Sequence, residues 1–353
     1  MFPEFKNKKV LLTGHTGFKG TWLLQLLHLL EANVVGLSLA PEKETDLYVQ
    51  INGGALCKSI IGDINDAQLV KLVITEEQPD FIFHLAAQAL VRKSYQIPVN
   101  TFATNVMGSI HLLEAVRSLA KPCSIVMITT DKVYENKETG LAFNEDDKLG
   151  GYDPYSASKA ACEIAISAYR NSFFNSDNYA QHHKAITVLR AGNVIGGGDF
   201  SDDRIIPDIY NAIIQDRPVV LRNPAAIRPW QHVLEPLFVY LDVAARQSKQ
   251  PNRYAGAYNI GPDANDVLDV LSVTEIFLQR FGKGTYEIVP QQNAPHEANF
   301  LALDNALIKK DFDWQPKLTA QEAISWTADW YADTQSVASV KCLRQIEDFR
   351  LKY

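Results

Sequence analysis

KKVLLTGHTGFKGTWLLQLLHLLE, Lys8 to Glu31, is the stretch whose reading decides the fold. Lys8 to Gly14 is an apolar run ending in glycine and reads as a strand, while Leu23, Leu24, Leu27 and Leu30 recur at helical spacing over Gly20 to Glu31. At the junction Gly14, Gly17 and Gly20 form GxxGxxG, with Thr16 and Phe18 in the same turn. A tight turn there lets a pyrophosphate approach backbone N–H groups and a helix N-terminus. A lone glycine triplet is an ordinary loop, but one between the first strand and the first helix of a strand–helix series predicts a dinucleotide site.

Working outward, apolar runs at Asn33 to Ala40, Ser59 to Ile64, Phe81 to Ala87, Ser124 to Thr130 and Ala185 to Ala191 alternate with amphipathic segments. That alternation predicts βαβ units on a parallel sheet with right-handed crossovers, an α/β doubly wound Rossmann-type fold over residues 1–190. After Ala191 the texture changes to Gly196, Gly197, Gly198 and a run of prolines, predicting a smaller mixed lobe over 191–353 that binds substrate. One apolar run in it, Ala257 to Gly261, is expected to return to the main sheet, and Trp314, Trp326 and Trp330 are expected in the core.

The chain of 353 residues is 46% hydrophobic and 21% charged, which excludes disordered and collagen-like classes. Thirty-four Lys and Arg against 41 Asp and Glu give a net charge of −7, the wrong sign for a protein that binds by neutralising nucleic-acid phosphates. Cys57, Cys123, Cys162 and Cys342 lack metal-ligand spacing and read as reduced thiols, so no metal is expected. With neither a secretory pattern at the N-terminus nor an apolar run long enough to span a bilayer, the expected address is cytoplasmic and no membrane is a partner.

Three further groups carry chemistry. Asp63 and Ile64 close the third strand, where Asp63 either accepts from an adenine amino group, with Ile64 against the ring, or caps the next helix. The second strand ends in Ser38 and Leu39, without the acid that binds a ribose 2′-hydroxyl, and Lys43 is the only base nearby for a 2′-phosphate. Tyr155 and Lys159, four apart after Pro154, share one helix face, where an ammonium would favour the phenolate and make Tyr155 a general base. Thr130, Asp131 and Lys132 sit at the carboxyl end of the fifth strand, where folds of this type bind substrate. A plain alcohol dehydrogenase needs only the hydroxyl and the Tyr–Lys pair. An adjacent acid and base suggest a second step, elimination of water.

Across nearly its full length the chain resembles the extended short-chain dehydrogenase/reductase family and, within it, the CDP-glucose 4,6-dehydratases. The resemblance rests on GHTGFKG (14–20), HLAAQ (84–88), TTDKVY (129–134), GYDPYSASKA (151–160), RAGNVIGGGD (190–199), RPWQHV (228–233), YNIG (258–261) and PHEANFLALD (295–304). It implies NAD as cofactor, with Leu85, Ala86 and Ala87 joining Gly14, Thr16, Gly17, Phe18, Gly20, Asp63, Ile64, Tyr155 and Lys159 in holding it. It also implies a reaction in which sugar C4 is oxidised, water leaves across C5 and C6, and the hydride returns to C6. Tyr155 would deprotonate the C4 hydroxyl, Thr130 bond that oxygen, and Asp131 protonate the leaving C6 hydroxyl.

In the dTDP-glucose and GDP-mannose branches a Glu stands at the position of Lys132 and serves as the C5 base. Lys132 would therefore be that base or a stabiliser of the enolate. Asn193, Arg204 and Arg228 would face the diphosphate and base of a nucleotide sugar, Gln88 and Arg92 would reach the sugar, and His296 either meets the nucleotide or is structural. A homodimer or homotetramer and a role in dideoxyhexose and O-antigen synthesis follow from the same resemblance. An NAD-dependent 4-epimerase or a non-catalytic NAD-binding scaffold are the alternatives.

Overall fold

The computed structural model describes residues 1–289 and 300–353. A seven-stranded parallel sheet is built from β1 (Lys9–Thr13), β2 (Asn33–Ser38), β3 (Lys58–Ile61), β4 (Phe81–His84), β5 (Cys123–Thr130), β6 (Lys184–Ala191) and β7 (Ala257–Ile260). Their spatial order is β7-β6-β5-β4-β1-β2-β3. The order reverses between β1 and β4, so the crevice of a doubly wound sheet opens above the carboxyl ends of those two strands.

The described helices of ten or more residues are α1 (Phe18–Leu29), α2 (Ala67–Glu77), α3 (Gly108–Arg117), α4 (Pro154–Ser172), α5 (Ile205–Ile214), α6 (Leu234–Lys249), α7 (Val270–Phe281), α8 (Ala320–Ala332) and α9 (Ala338–Lys352). Sheet periodicity sorts them onto two faces. Val10, Leu12, Phe81, Phe83, Val126 and Ile128 point into a core shared with α1, α6, α8 and α9. Leu11, Ile82, Ile125 and Met127, one residue out of phase, point into a second core with α2, α3 and α4. Both faces are covered, which is why these strands read as unbroken apolar runs.

The expected strands are all present, and the run near 257 pairs with β6 in parallel, Ala257 opposite Val188. The second half of the chain thus lends β7, α6 and α9 to the sheet. Its remainder forms small pairings, among them Asn193–Ile195 with Trp230–His232 and Ile227–Arg228 with Leu268–Asp269. The triple glycine is packed: a Cβ on Gly197 would come within 1.9 Å of the Trp330 ring, and Trp22 Nε1 donates to the Gly197 carbonyl at 3.0 Å. Trp314 and Trp330 are buried. All four cysteines are unpaired, and no described helix is long and apolar enough to cross a membrane.

Candidate active site at the carboxyl edge of the sheet

The glycine turn leaves β1 and enters α1 with Gly17 as N-cap. Gly14 has φ +77°, and a Cβ on it would lie 2.9 Å from the Ala86 nitrogen. At Gly20 the Cβ would stand 1.9 Å from the Gly14 carbonyl oxygen, so chain packing alone demands glycine at both positions. Gly17 differs, because it is exposed with ordinary φ and a Cβ there would meet only the Gly14 oxygen at 3.5 Å. Nothing in the described residues crowds a Cβ at Gly17, so the turn presents an exposed backbone at the helix N-terminus. Such a cradle at a helix N-terminus fits a diphosphate.

The other turn residues face inward. The Thr16 hydroxyl is 2.8 Å from Ser38 Oγ and donates to the Leu39 carbonyl at 2.9 Å, tying the turn to the end of β2 where an acidic residue was missing. Phe18 packs beneath Gly196. Lys43 is paired with Asp202 at 3.1 Å. Leu85 and Ala86 are joined to β1 through the Thr13 carbonyl and hydroxyl, each at 3.2 Å, and Ala87 follows partly exposed.

Ile64 is buried and lies where a Cβ on Gly108 would strike it, at 2.7 Å. Asp63 is exposed, and its carboxylate accepts from the Asn65 backbone at 2.9 Å. The helix-capping alternative for Asp63 is corrected: Asp66 caps α2, accepting from Gln68 and Leu69.

The Tyr–Lys helix is fixed at its start by Asp153 in a capping box with Ser156 and by Pro154 in the first turn, which holds Tyr155 in register with the end of β5. Tyr155 is buried beside Thr130. Burial pushes its phenol up to about 12; the Thr130 hydrogen bond and Arg204 pull down, and Asp131 and Asp153 push up. The lowering expected from Lys159 is therefore not what the structure shows. The Lys159 ammonium instead donates to the Ile128 carbonyl at 3.1 Å, and its own pKa is lowered by burial. At this site desolvation outweighs the cation.

Asp131 is fully buried. One carboxylate oxygen accepts from Thr130 Oγ at 2.8 Å and Lys132 Nζ at 3.2 Å; the other, also buried, has no hydrogen-bond partner. A buried carboxylate oxygen left unpaired is costly, and it marks where a polar group of a ligand fits. Lys132 also donates to Asn193 Oδ1 at 3.3 Å, which brings Asn193 to the reacting end of β5. Beneath lies a buried ionic network. Thr129 donates to Glu163 at 2.5 Å, Glu163 pairs with Arg190 at 2.5 Å, and Arg190 reaches Tyr134 Oη at 2.7 Å.

Arg204 stands in electrostatic range of Tyr155 and is paired with Asp199 at 2.8 Å. Arg92 faces Asp203 at 3.6 Å, with Arg222 on the same carboxylate at 3.5 Å, so this pairing ties the segment after β4 to the segment after β6. Arg228 is buried and donates to its neighbour, the Ile227 carbonyl, at 2.8 Å. The Gln88 side chain is engaged within its own loop, accepting from the Leu90 N–H at 2.7 Å and donating to the Leu90 carbonyl and Thr101. His296 lies outside the described residues.

Sequence reading missed Asn105. It sits in a π-helical turn, Ala103–Met107, a widening that often marks functional sites. Its side chain clamps the Gln88 backbone at 2.9 and 3.1 Å and donates to Ser158 at 2.8 Å, so it locks the HLAAQ loop to the Tyr–Lys helix. Nothing in the local pattern of TNVMGS signals a π turn.

Known proteins resemble this chain in sequence and in fold. The GDP-mannose 4,6 dehydratase family matches residues 11–327. The chain is 41% identical over 327 residues to the CDP-glucose 4,6-dehydratase of Salmonella typhimurium, covering 93% of this chain and 91% of that protein. Among solved structures, the Thermus thermophilus UDP-glucose 4-epimerase in complex with NAD superposes with a TM-score of 0.75 at 25% identity, covering 92% of this chain and 99% of that one. The Bacillus anthracis dTDP-glucose 4,6-dehydratase in complex with NAD gives 0.76 at 24%, covering 93% and 97%. With a glycine cradle, a Tyr–Lys helix and the Thr-Asp-Lys strand end on one parallel sheet, and with a family match over most of its length, the chain belongs to the GDP-mannose 4,6 dehydratase family of extended short-chain dehydrogenase/reductases.

Proposed function

We propose that this protein is a hydro-lyase that converts CDP-glucose to CDP-4-keto-6-deoxyglucose, with NAD held at the glycine turn. The nucleotide rests on the 41% identity to a CDP-glucose 4,6-dehydratase. The observation that carries the reaction type is Asp131: a fully buried carboxylate beside Tyr155 and Thr130, with one oxygen unpartnered, is a group that an alcohol dehydrogenase or epimerase does not need. The cradle at Gly17 fits the cofactor diphosphate. NAD, when bound, supplies a reversible hydride acceptor for sugar C4.

The chain's own residues do the rest. Tyr155 takes the C4 hydroxyl proton and Thr130 orients that oxygen. Burial raises the phenol to about 12 even with the Arg204 cation pulling it down, so desolvation dominates at Tyr155. Once C4 is a ketone, C5 is acidic: Lys132 passes the proton of the ion pair to the Asp131 carboxylate and takes the C5 proton as an amine, while Asp131 delivers that proton to the C6 hydroxyl, which leaves as water. Lys132, bonded also to Asn193, holds the C5 proton until it is returned to C5, and as an ammonium it then stabilises charge on the enolate oxygen. Arg204, Arg228 and Asn193 line the substrate side for the diphosphate and base, and a homodimer or homotetramer is the expected assembly.

Turnover in deuterium oxide tests the reading. Elimination across C5 and C6 places solvent deuterium at C5 of the product, detected by proton NMR. A product with no deuterium at C5 excludes the elimination step.

A further inference from the structure

The glycine turn carries one side chain that these steps do not use. Lys19 is the second residue of α1, in the turn of the helix that faces the crevice. Its surroundings are cationic: Lys159 and Arg204 repel its ammonium, and Asp131 alone attracts it. The charges of the crevice pair off without it. Lys132 takes Asp131 at 3.2 Å, Arg204 takes Asp199 at 2.8 Å, and Glu163, the carboxylate nearest Lys159 along α4, is held by Arg190 at 2.5 Å. No acceptor in the described residues holds Lys19 Nζ. Two lysines, Lys19 and Lys159, are thus left without a dedicated carboxylate, and Lys19 is on the turn that bears the bare Gly17 backbone.

A concave surface with uncompensated cations and free helix N–H groups is preorganised for an anion. We propose that Lys19 binds a diphosphate group by charge, adding an ionic contact to the backbone N–H groups of the first turn of α1. This rests on the dehydratase reading, which supplies two such groups, the cofactor's and the nucleotide sugar's; their shared chemistry is a nucleoside diphosphate diester.

Burial, with Lys159 and Arg204, brings Lys19 down to about 7, whereas a bound dianion would hold it protonated. The sign follows from linkage: affinity is full below pH 7 and declines above it, as the free amine gives up its proton. Three neighbouring groups are held away from that range. His15 and His84 are held by burial near 4 and 3 and Tyr155 sits near 12, while Lys159, itself lowered by burial, is the one neighbour whose titration the variants must separate from that of Lys19.

The test is calorimetric titration of the full chain with two probes whose diphosphate bridges do not titrate near neutrality, ADP-ribose and CDP-glycerol, between pH 6 and 8. Lys19→Met is expected to weaken one or both by roughly ten- to a hundredfold, the scale of a charge-assisted hydrogen bond. The probe affected identifies which diphosphate Lys19 holds. Lys19→Arg is expected to restore affinity and abolish the pH dependence, because a guanidinium does not titrate there. A Lys19→Met protein that binds both probes as wild type does overturns the inference while leaving the dehydratase reading intact, as does a pH dependence as steep in Lys19→Arg as in wild type. A wild type that binds neither probe overturns the reading itself.

Discussion

At the scale of single residues, the site separates two tasks on adjacent groups. Tyr155 and Thr130 handle the C4 oxygen, and Asp131 handles the C6 oxygen. Asp131→Asn is expected to cut water loss by about 10²- to 10⁴-fold, the range of a general acid, while C4 oxidation persists. Absorbance of reduced nicotinamide should then accumulate after CDP-glucose is added. Tyr155→Phe should abolish both signals, and equal loss of both in Asp131→Asn would contradict the division. These residues were legible in the sequence because YxxxK and TTDK are short-range patterns next to recognisable element ends. Their electrostatics were not. The high Tyr155 pKa, the Lys159 bond to the Ile128 carbonyl and the Gln88 amide turned onto Leu90 all depend on which groups meet once the chain is folded.

At the scale of elements, the glycine turn and the buried network beneath β5 make opposite demands. Gly20→Ala drives a Cβ into the Gly14 carbonyl and is expected to cost about 1–3 kcal/mol of stability. Gly17→Ala should fold with wild-type stability yet lose NAD affinity; chemical denaturation and calorimetry read the two effects separately. Glu163→Gln leaves Arg190 buried without its carboxylate and is expected to cost about 3–5 kcal/mol. A shift in denaturation midpoint under a third of that would mean the network does not hold β5, β6 and α4 together. The sequence announced the strands through unbroken apolar runs, and the turn through its glycines. It could not announce the π turn at Asn105 or the cap at Asp66 in preference to Asp63, since both are decided by contacts across the fold.

At the scale of the whole molecule, three buried neutral histidines couple stability to pH. Burial holds His15 near 4 and His84 and His232 near 3, well below the unfolded value of 6.5. Below pH 6.5 the unfolded chain takes up these protons and the folded chain does not, so each histidine costs about 1.4 kcal/mol per pH unit of acidification until its folded pKa is reached. Glu235, raised by burial to about 7, acts in the opposite sense between 7 and 4.5 and offsets about one of them. Urea midpoints are therefore expected to fall from pH 6.5 to 5, and more steeply in Glu235→Gln. A flat profile would contradict the burial of these rings.

The most direct test of the central claim is the mass of the sugar nucleotide after incubation of the protein with NAD and, separately, CDP-, dTDP-, UDP- and GDP-linked hexoses. Loss of one water from CDP-glucose, with the others unchanged, is the result expected of a CDP-glucose dehydratase. An unchanged mass with inverted configuration at C4 would contradict it and assign the same Tyr155 and Lys159 to epimerisation.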